Sequence, residues 1–361
     1  MDTNKHKEFL IVGFGVVGLS LSKHLLDKHQ SFDVVADLQP KASLVSGGLL
    51  NPVSLKRLKL AWNAPLFHSY AIDFYKGFTP LLKKEFIQAI PITRIFSSIE
   101  EQNHWFSQSK NNQISSYLSD QLVSLKNIRN HYQASSVLDS YLIQLSSLVN
   151  DFSSFLISRN KFISSSFDYS SLIVSDKLFQ YNGRTYNYVI FADGYNVTEN
   201  PFFNYLPIYG NKGDYLIVRI PDLPNNQIYK SSKFLIPLGG QLFKFGATYE
   251  RHFNDAFVSD EAQISLSSEL DRLLEFNYEI VSQVSGIRPT SKDRFPVSGA
   301  HPNHPNMFAL NAMGSRGIMS SPWLANNLIE SIIENKDILK EANLQRFTKK
   351  HFRFSSSLDC S

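Results

Sequence analysis

A chain of 361 residues exceeds the roughly 250–300 at which a single hydrophobic core stops growing, so two domains are the default. With 43% hydrophobic and 19% charged residues, 28 Phe and 16 Tyr, it reads as an unusually aromatic globular chain and not as a disordered or fibrous one. A net charge of +4 permits an anionic substrate without demanding nucleic acid, and a lone cysteine, Cys360, excludes a disulfide framework or a thiolate metal site and points to a reducing cytoplasm.

Lys5 and Lys7 precede an apolar run from Phe9 to Leu19 that imitates a secretory signal. Three glycines interrupt it, and its 11 residues fall short of the roughly 20 that span a bilayer, so neither a signal nor a membrane anchor is expected. Phe9 to Val12 instead has the pattern of a strand buried on both faces of a parallel sheet. Val17, Leu21 and Leu25 then place one apolar stripe on a helix, and Asp33 to Asp37 reads as a second strand, which makes a βαβ opening.

The stretch between about residues 60 and 138 is mixed, with a short strand at Ile92 to Phe96. The spacing of Leu142, Leu145, Leu148 and Phe152 predicts a helix from Ser140 to Leu156, and Tyr188 to Ala192 predicts a further buried strand. Ser164 to Ser171 reads as a surface loop. Tyr215–Ile220, Lys233–Pro237 and Gln241–Thr248 read as antiparallel neighbours with a hairpin at Gly239-Gly240. A helix from Asp260 to Phe276 is expected to face inward with Ile264, Leu266, Leu270 and Leu274.

Gly13, Gly15 and Gly18, with Val16 and Val17 between the last two, form a Gly-x-Gly-x-x-Gly turn. The first glycine allows the tight turn, the second lets backbone approach a pyrophosphate, and the third lets helix pack on strand. The phosphates would lie at the positive end of that helix. Asp37, 24 residues past Gly13 and at the end of the second strand, can accept hydrogen bonds from ribose hydroxyls, which disfavours a 2′-phosphate. The turn alone does not separate FAD from NAD.

The later segments do. The chain resembles the D-amino-acid oxidase (DAO) superfamily of FAD-dependent amine oxidoreductases, which includes glycine and sarcosine oxidases. The elements that carry the likeness, in order, are the front fingerprint with Asp37, the Ala42-Ser43 to Gly47-Gly48-Leu49 segment, and Val189 to Gly194. They continue with Leu235-Ile236-Pro237, Gly246-Ala247-Thr248, Gly286-Ile287-Arg288-Pro289 with Asp293 and Pro296, and Gly314-Ser315-Arg316-Gly317. A closer likeness is to the FAD-dependent half of the bifunctional bacterial enzyme that trims a wobble-uridine side chain on tRNA. It rests on Gly314 to Gly317 followed by a helix and a basic tail, Arg346 to Arg353; the methyltransferase half is absent from this sequence.

The resemblance implies an α/β protein: a Rossmann-like FAD-binding domain with a parallel sheet, interleaved with an α+β substrate domain on a largely antiparallel sheet. The expected bounds are 1–75, 139–200 and 284–361 for the first and 76–138 and 201–283 for the second. It implies non-covalent FAD held by Gly13, Gly15, Val16, Val17, Gly18, Asp37, Ser43, Gly47, Gly48, Leu49, Ala192, Asp193, Gly194, Gly286, Gly314, Ser315, Arg316, Gly317 and Ile318. Asp193 stands where the family more usually has a small residue. A helix capped by Ser320 or Ser321, with Pro322 in its first turn, would direct its positive end at the flavin and stabilise the reduced, anionic form.

The arginine of Gly-x-Arg-Pro, here Arg288, would grip a substrate carboxylate through paired hydrogen bonds, and Tyr215 or Tyr249 could line the cavity. Asp293 is read as fixing a turn. His301 and His304 sit among prolines without a further ligand cluster, so no metal is expected. The implied chemistry is hydride transfer from a carbon bearing an amine to flavin, followed by hydrolysis of the imine, with oxygen or another acceptor reoxidising the flavin. The alternatives are trimming of tRNA and, of another class, flavin binding without catalysis.

Overall fold

A computed structural model describes residues 5–39, 41–129, 132–176 and 178–352. Cys360 and the end of the basic tail at Arg353 lie outside the described residues. The chain divides into two compact units, each discontinuous: Met1–Gln39, Val149–Gly210 and Arg288–Ser361 form the first, Pro40–Leu148 and Asn211–Ile287 the second.

The first unit is built on an eight-stranded sheet. Its strands are β1 (His6–Val12), β2 (Phe32–Ala36), β3 (Phe162–Ser164), β4 (Ile173–Val174), β5 (Phe179–Tyr181), β6 (Arg184–Phe191), β7 (Val297–Ala300) and β8 (Met307–Asn311). A parallel core runs β3-β2-β1-β6-β8. Its register brings Val12 beside both Val35 and Phe191, and Phe191 beside Ala309, so the carboxyl ends of these strands finish together. Antiparallel β5 and β7 pair with β6 and β8. Phe9 to Val12 are at most 2% exposed, as a strand covered on both faces requires. The first helix, Val16–Asp27, follows directly.

The helix near the end of the chain runs from Gly317 to Glu334 and departs from expectation. Neither Ser320 nor Ser321 caps it. A 3₁₀ turn at Gly314–Arg316 leads straight into it, so the helix begins with Arg316 at its N-cap and Pro322 lies inside it. Ser320 Oγ donates instead to the Arg316 carbonyl at 3.1 Å.

The second unit holds a seven-stranded sheet in the order Glu279–Ser291, Ile208–Arg219, Leu242–Gly246, Phe234–Gly239, Ile228–Lys230, Ile92–Ile95 and Ala134–Val137; its first two strands each run through a unit boundary. The hairpin at Gly239-Gly240 forms as read, with φ of +104° and +56° at the two glycines. Against this sheet the helix Asp260–Leu273 buries Leu266, Leu270 and Leu273 among Leu216, Val218, Phe243 and Phe245. Ser259 caps it by accepting from Ala262 N. Ile264 does not face inward: about 200° round the helix from Leu266, it is 70% exposed.

The helix expected over Ser140–Leu156 is a strand, Tyr141–Ile143, followed by a helix, Leu145–Ile157. Tyr141–Ile143 pairs on one side with Leu49–Leu50 and on the other with Ile87–Ala89, and two ladders outweigh the helical spacing of Leu142. The same pairing moves the domain bounds. Residues 40–75, 139–148 and 284–287 lie in the second unit, because Leu49–Leu50 joins this small sheet and Gly286 packs on Ala42 and Val45. Residues 201–210 lie in the first, where Phe203, Leu206 and Ile208 join its core.

Candidate functional site

In the first unit the fingerprint closes at the carboxyl end of the parallel sheet. Gly13 N donates to Val35 O at 2.9 Å, and Ala192 N donates to Val12 O at 2.7 Å, which locks the ends of β1, β2 and β6 together. Gly13 has φ +97°, and a Cβ there would stand 2.5 Å from the Ala192 carbonyl oxygen and 3.1 Å from Asp193 Cα. A Cβ on Gly18 would stand 2.0 Å from the Gly13 carbonyl oxygen. Both glycines are therefore required by backbone against backbone. Gly15 is different: its φ of −79° suits any residue, and it is the N-cap of a helix with no side-chain cap and no acid in its first turn. Val16 and Val17 follow, each 8% exposed. An anion is the natural complement of such a helix end.

Asp37 follows β2 directly and accepts Ser166 Oγ at 3.1 Å, so its carboxylate stands at the carboxyl edge of the sheet, where a ribose would be read. A cradle that a Cβ would fill, a helix end without a cap and an acid at the end of β2 together fit a dinucleotide such as FAD.

The opposite end of the chain reaches the same place. A Cβ on Gly317 would stand 3.2 Å from Met313 Cβ and 3.3 Å from Val16 Cγ1. Gly314 takes φ +55°, which glycine adopts without cost. Ile318 is buried in the first turn of the rear helix and Ser315 is exposed. Arg316 is partly buried, and that burial lowers its pKa. Residues 13–18 and 314–318 thus converge within one unit, as expected.

Asp193, buried just past the end of β6, has its Cα beside Gly13. Its Oδ2 accepts Asn200 Nδ2 at 2.8 Å and Tyr169 Oη at 3.2 Å, and its Oδ1 accepts Asn311 Nδ2 at 3.0 Å. Burial pushes the carboxyl up to about 6, against the three hydrogen bonds that favour the ionised form. Gly194 follows with φ +63°. Sequence reasoning did not find Tyr169, Asn200 or Asn311; an asparagine ending a strand of otherwise apolar residues, Met307–Asn311, was the one available signal.

In the second unit Ser43 lies in a short helical turn, Ala42–Val45, whose chain continues through Gly47, Gly48 and Leu49. Gly48 has φ +71° and its carbonyl accepts Ile143 N at 2.7 Å. A Cβ on Gly47 would strike Ile236 Cδ1 at 2.5 Å and stand 3.8 Å from Tyr215 Oη, and one on Gly286 would strike Val45 Cγ2 at 2.5 Å. Packing within the unit therefore accounts for these glycines, Gly286 included. A residue not anticipated, Lys244, ties this turn down: its Nζ donates to Val45 O at 3.1 Å and Ser46 O at 3.0 Å, and burial lowers its pKa to about 8. Tyr215 is half-buried beside Gly47, with Lys244 Nζ 5.5 Å from its ring, whereas Tyr249 is 59% exposed and packs near Arg251.

Arg288 lies on the strand Glu279–Ser291, half-buried, and among the described residues its guanidinium has no carboxylate or hydrogen-bond partner. Asp293 fixes a turn, accepting Phe295 N at 3.1 Å and Ser291 Oγ at 2.9 Å and pairing with Arg346. His301 and His304 stack at 4.9 Å within a cluster containing Phe202 and Phe203.

Residues 172–331 match the family model described as DAO, FAD dependent oxidoreductase. The glycine oxidase of Geobacillus kaustophilus (strain HTA426) is 29% identical over 136 residues, a stretch that spans 37% of this chain and 36% of that protein. The crystal structure of glycine oxidase from Geobacillus kaustophilus superposes with a TM-score of 0.77 at 18% identity, covering 92% of this chain and 96% of that one. Iminodiacetate oxidase from Chelativorans sp. BNC1 superposes at 0.75 with 16% identity, covering 94% and 98%. The likeness to the DAO family over residues 172–331 and the fold class read from the sequence are thereby upheld.

Proposed function

We propose that this chain, of the DAO type of FAD-dependent oxidoreductase in its fold and in residues 172–331, oxidises the C–N bond of a small amino acid or secondary amine. With FAD bound, the chemistry supplied is removal of a hydride from the carbon beside the amine, leaving an imine for water to hydrolyse. The observation that carries the reading is the meeting of Val16 with Gly317 beside a glycine turn whose Gly13 and Gly18 admit no side chain.

The chain's own groups have three tasks. Gly13, Gly15, Val16, Val17 and Gly18 offer backbone to the pyrophosphate, and Asp37 holds a ribose. Ala192 to Gly194 and Gly314 to Ile318, in the same unit, line the rest of the cofactor. Arg288 binds the substrate carboxylate: a half-buried guanidinium without a partner among the described residues is a ready bidentate donor. The glycine and iminodiacetate oxidases among the similar proteins favour a small carboxylated amine.

The test is an absorbance spectrum of the purified protein followed by anaerobic mixing with glycine, sarcosine, iminodiacetate, D-amino acids and wobble-modified tRNA. Bleaching of a bound flavin by a small carboxylated amine is expected. Bleaching by modified tRNA alone would favour the trimming reaction, and a flavin that no amine reduces would favour binding without catalysis.

A further inference from the structure

We propose that Asp193 is a positioning residue for the dinucleotide cradle: its carboxylate, by gathering Asn200, Tyr169 and Asn311, sets the ends of β6 and β8 from which the Gly13 wall and the Gly314–Gly317 turn depart. The inference rests on the FAD reading above and adds to it a role for the Asp193 side chain, distinct from the backbone that residue lends to the cradle.

A buried carboxylate is costly unless it is hydrogen-bonded. Here every neighbour within reach is a donor: Asn200 at 2.8 Å, Tyr169 at 3.2 Å and Asn311 at 3.0 Å. Asn311 is fully committed. Its Nδ2 also donates to Gly194 O at 2.9 Å, and its Oδ1 accepts Ala312 N at 2.6 Å. That last bond holds Ala312 at φ +58°, a conformation an alanine does not choose unaided. The chain then turns at Gly314 and enters the rear helix at Gly317.

On its other side Asp193 supplies backbone to the cradle, since its Cα bounds the space beside Gly13. Asn200 extends the same network by accepting Phe202 N at 2.9 Å. One carboxylate thus ties the chain beside the front glycine turn to Asn311, 118 residues further along and just before the rear turn. An isosteric amide could not do so, because it would turn its own N–H₂ toward donors.

The groups facing Asp193 are Tyr169 from the 3₁₀ turn Tyr169–Ser171, Asn200 from the segment after Gly194–Thr198, and Asn311 from β8. Glu199 is a further charge acting on Tyr169. No cation is paired with Asp193 among the described residues, so its ionisation depends on these neutral donors. Protonation puts a hydrogen where a donor already points.

The experiment is titration of the apoprotein with FAD, followed by flavin fluorescence, at pH 7.5 and 5.5, with urea midpoints to confirm the fold. Asp193→Asn and Asn311→Ala are each expected to weaken FAD about tenfold or more. The double variant should be no weaker than the worse single one. The wild-type loss of affinity toward pH 5.5 should be absent from Asp193→Asn. Tyr169→Phe, a milder change for use if the others do not fold, should move the midpoint of the wild-type pH profile upward. FAD affinity and pH profile unchanged in Asp193→Asn, additive losses in the double variant, or an unmoved midpoint in Tyr169→Phe would each overturn the proposal. Wild-type apoprotein that binds no FAD at either pH would remove the cofactor reading as well.

Discussion

His24 Nε2 lies 2.8 Å from the carbonyl oxygen of Pro322, a residue 298 positions further along the chain, and this bond joins the first helix to the rear helix inside the first unit. The ring N–H donates and the carbonyl accepts. Burial drives the His24 pKa down from 6.5 to about 4, so the folded protein holds this histidine neutral while the unfolded chain protonates it. Between those values the unfolded state binds more protons, and stability falls as pH falls. The loss due to His24 is on the order of 3 kcal/mol once pH reaches about 4. Urea unfolding of wild type and His24→Gln at pH 7 and 4.5 checks this: the variant should show the smaller drop, and equal drops would clear His24 of the effect.

The fingerprint glycines should separate by experiment. Gly18→Ala forces a Cβ to 2.0 Å from a backbone oxygen, so it should destabilise the fold by about 2 kcal/mol or more, visible in the urea midpoint of the apoprotein. Gly15→Val meets no backbone strain, since φ −79° is ordinary. It should leave the apoprotein stability within about 1 kcal/mol of wild type and abolish FAD retention by occupying the phosphate space. A yellow Gly15→Val protein would contradict the pyrophosphate geometry.

Arg288→Lys keeps the charge and loses the fork. We expect KM for a carboxylated amine to rise about tenfold to a hundredfold, with bound flavin and the oxidation of carboxyl-free amines little changed. Steady-state kinetics with a matched pair, an amino acid and its decarboxylated amine, measures the difference. Equal effects on both substrates would remove Arg288 from carboxylate recognition.

Lys244 predicts a pH dependence at the alkaline side. Its pKa is lowered by burial to about 8, so above that value the folded state releases a proton that the unfolded state keeps until about 10.5. Stability from this group therefore rises with pH across that window, and the neutral amine still donates to Val45 O and Ser46 O. Thermal unfolding at pH 7.5 and 9.5 should show the rise in wild type and not in Lys244→Met. A variant that follows wild type through both pH values would assign the alkaline effect elsewhere.

The elements read correctly from sequence are those with one dominant local cause. Phe9 to Val12 has no polar residue to orient it and must be covered on both faces, and Val17, Leu21 and Leu25 can share a face only on a helix. The misread elements had two local causes in competition. Leu142 fits a helical row with Leu145 and Leu148, yet two strands were available to pair with it. Ser320 and Ser321 suit an N-cap, but the 3₁₀ turn before them had already begun the helix. Ile264 falls near a helical row in sequence and on the solvent side in space.

By itself, the sequence determined the βαβ opening, the need for backbone clearance at Gly13 and Gly18, and an acid at the end of β2, because each follows from backbone geometry over fewer than about 25 residues. Only the tertiary structure decided which distant groups meet: His24 with Pro322, Val16 with Gly317, Asp193 with Asn311, and Lys244 with the turn at Val45 and Ser46. Those partners are chosen by strand order and register, which no periodicity records, and a buried polar atom accepts whatever donor the sheet delivers.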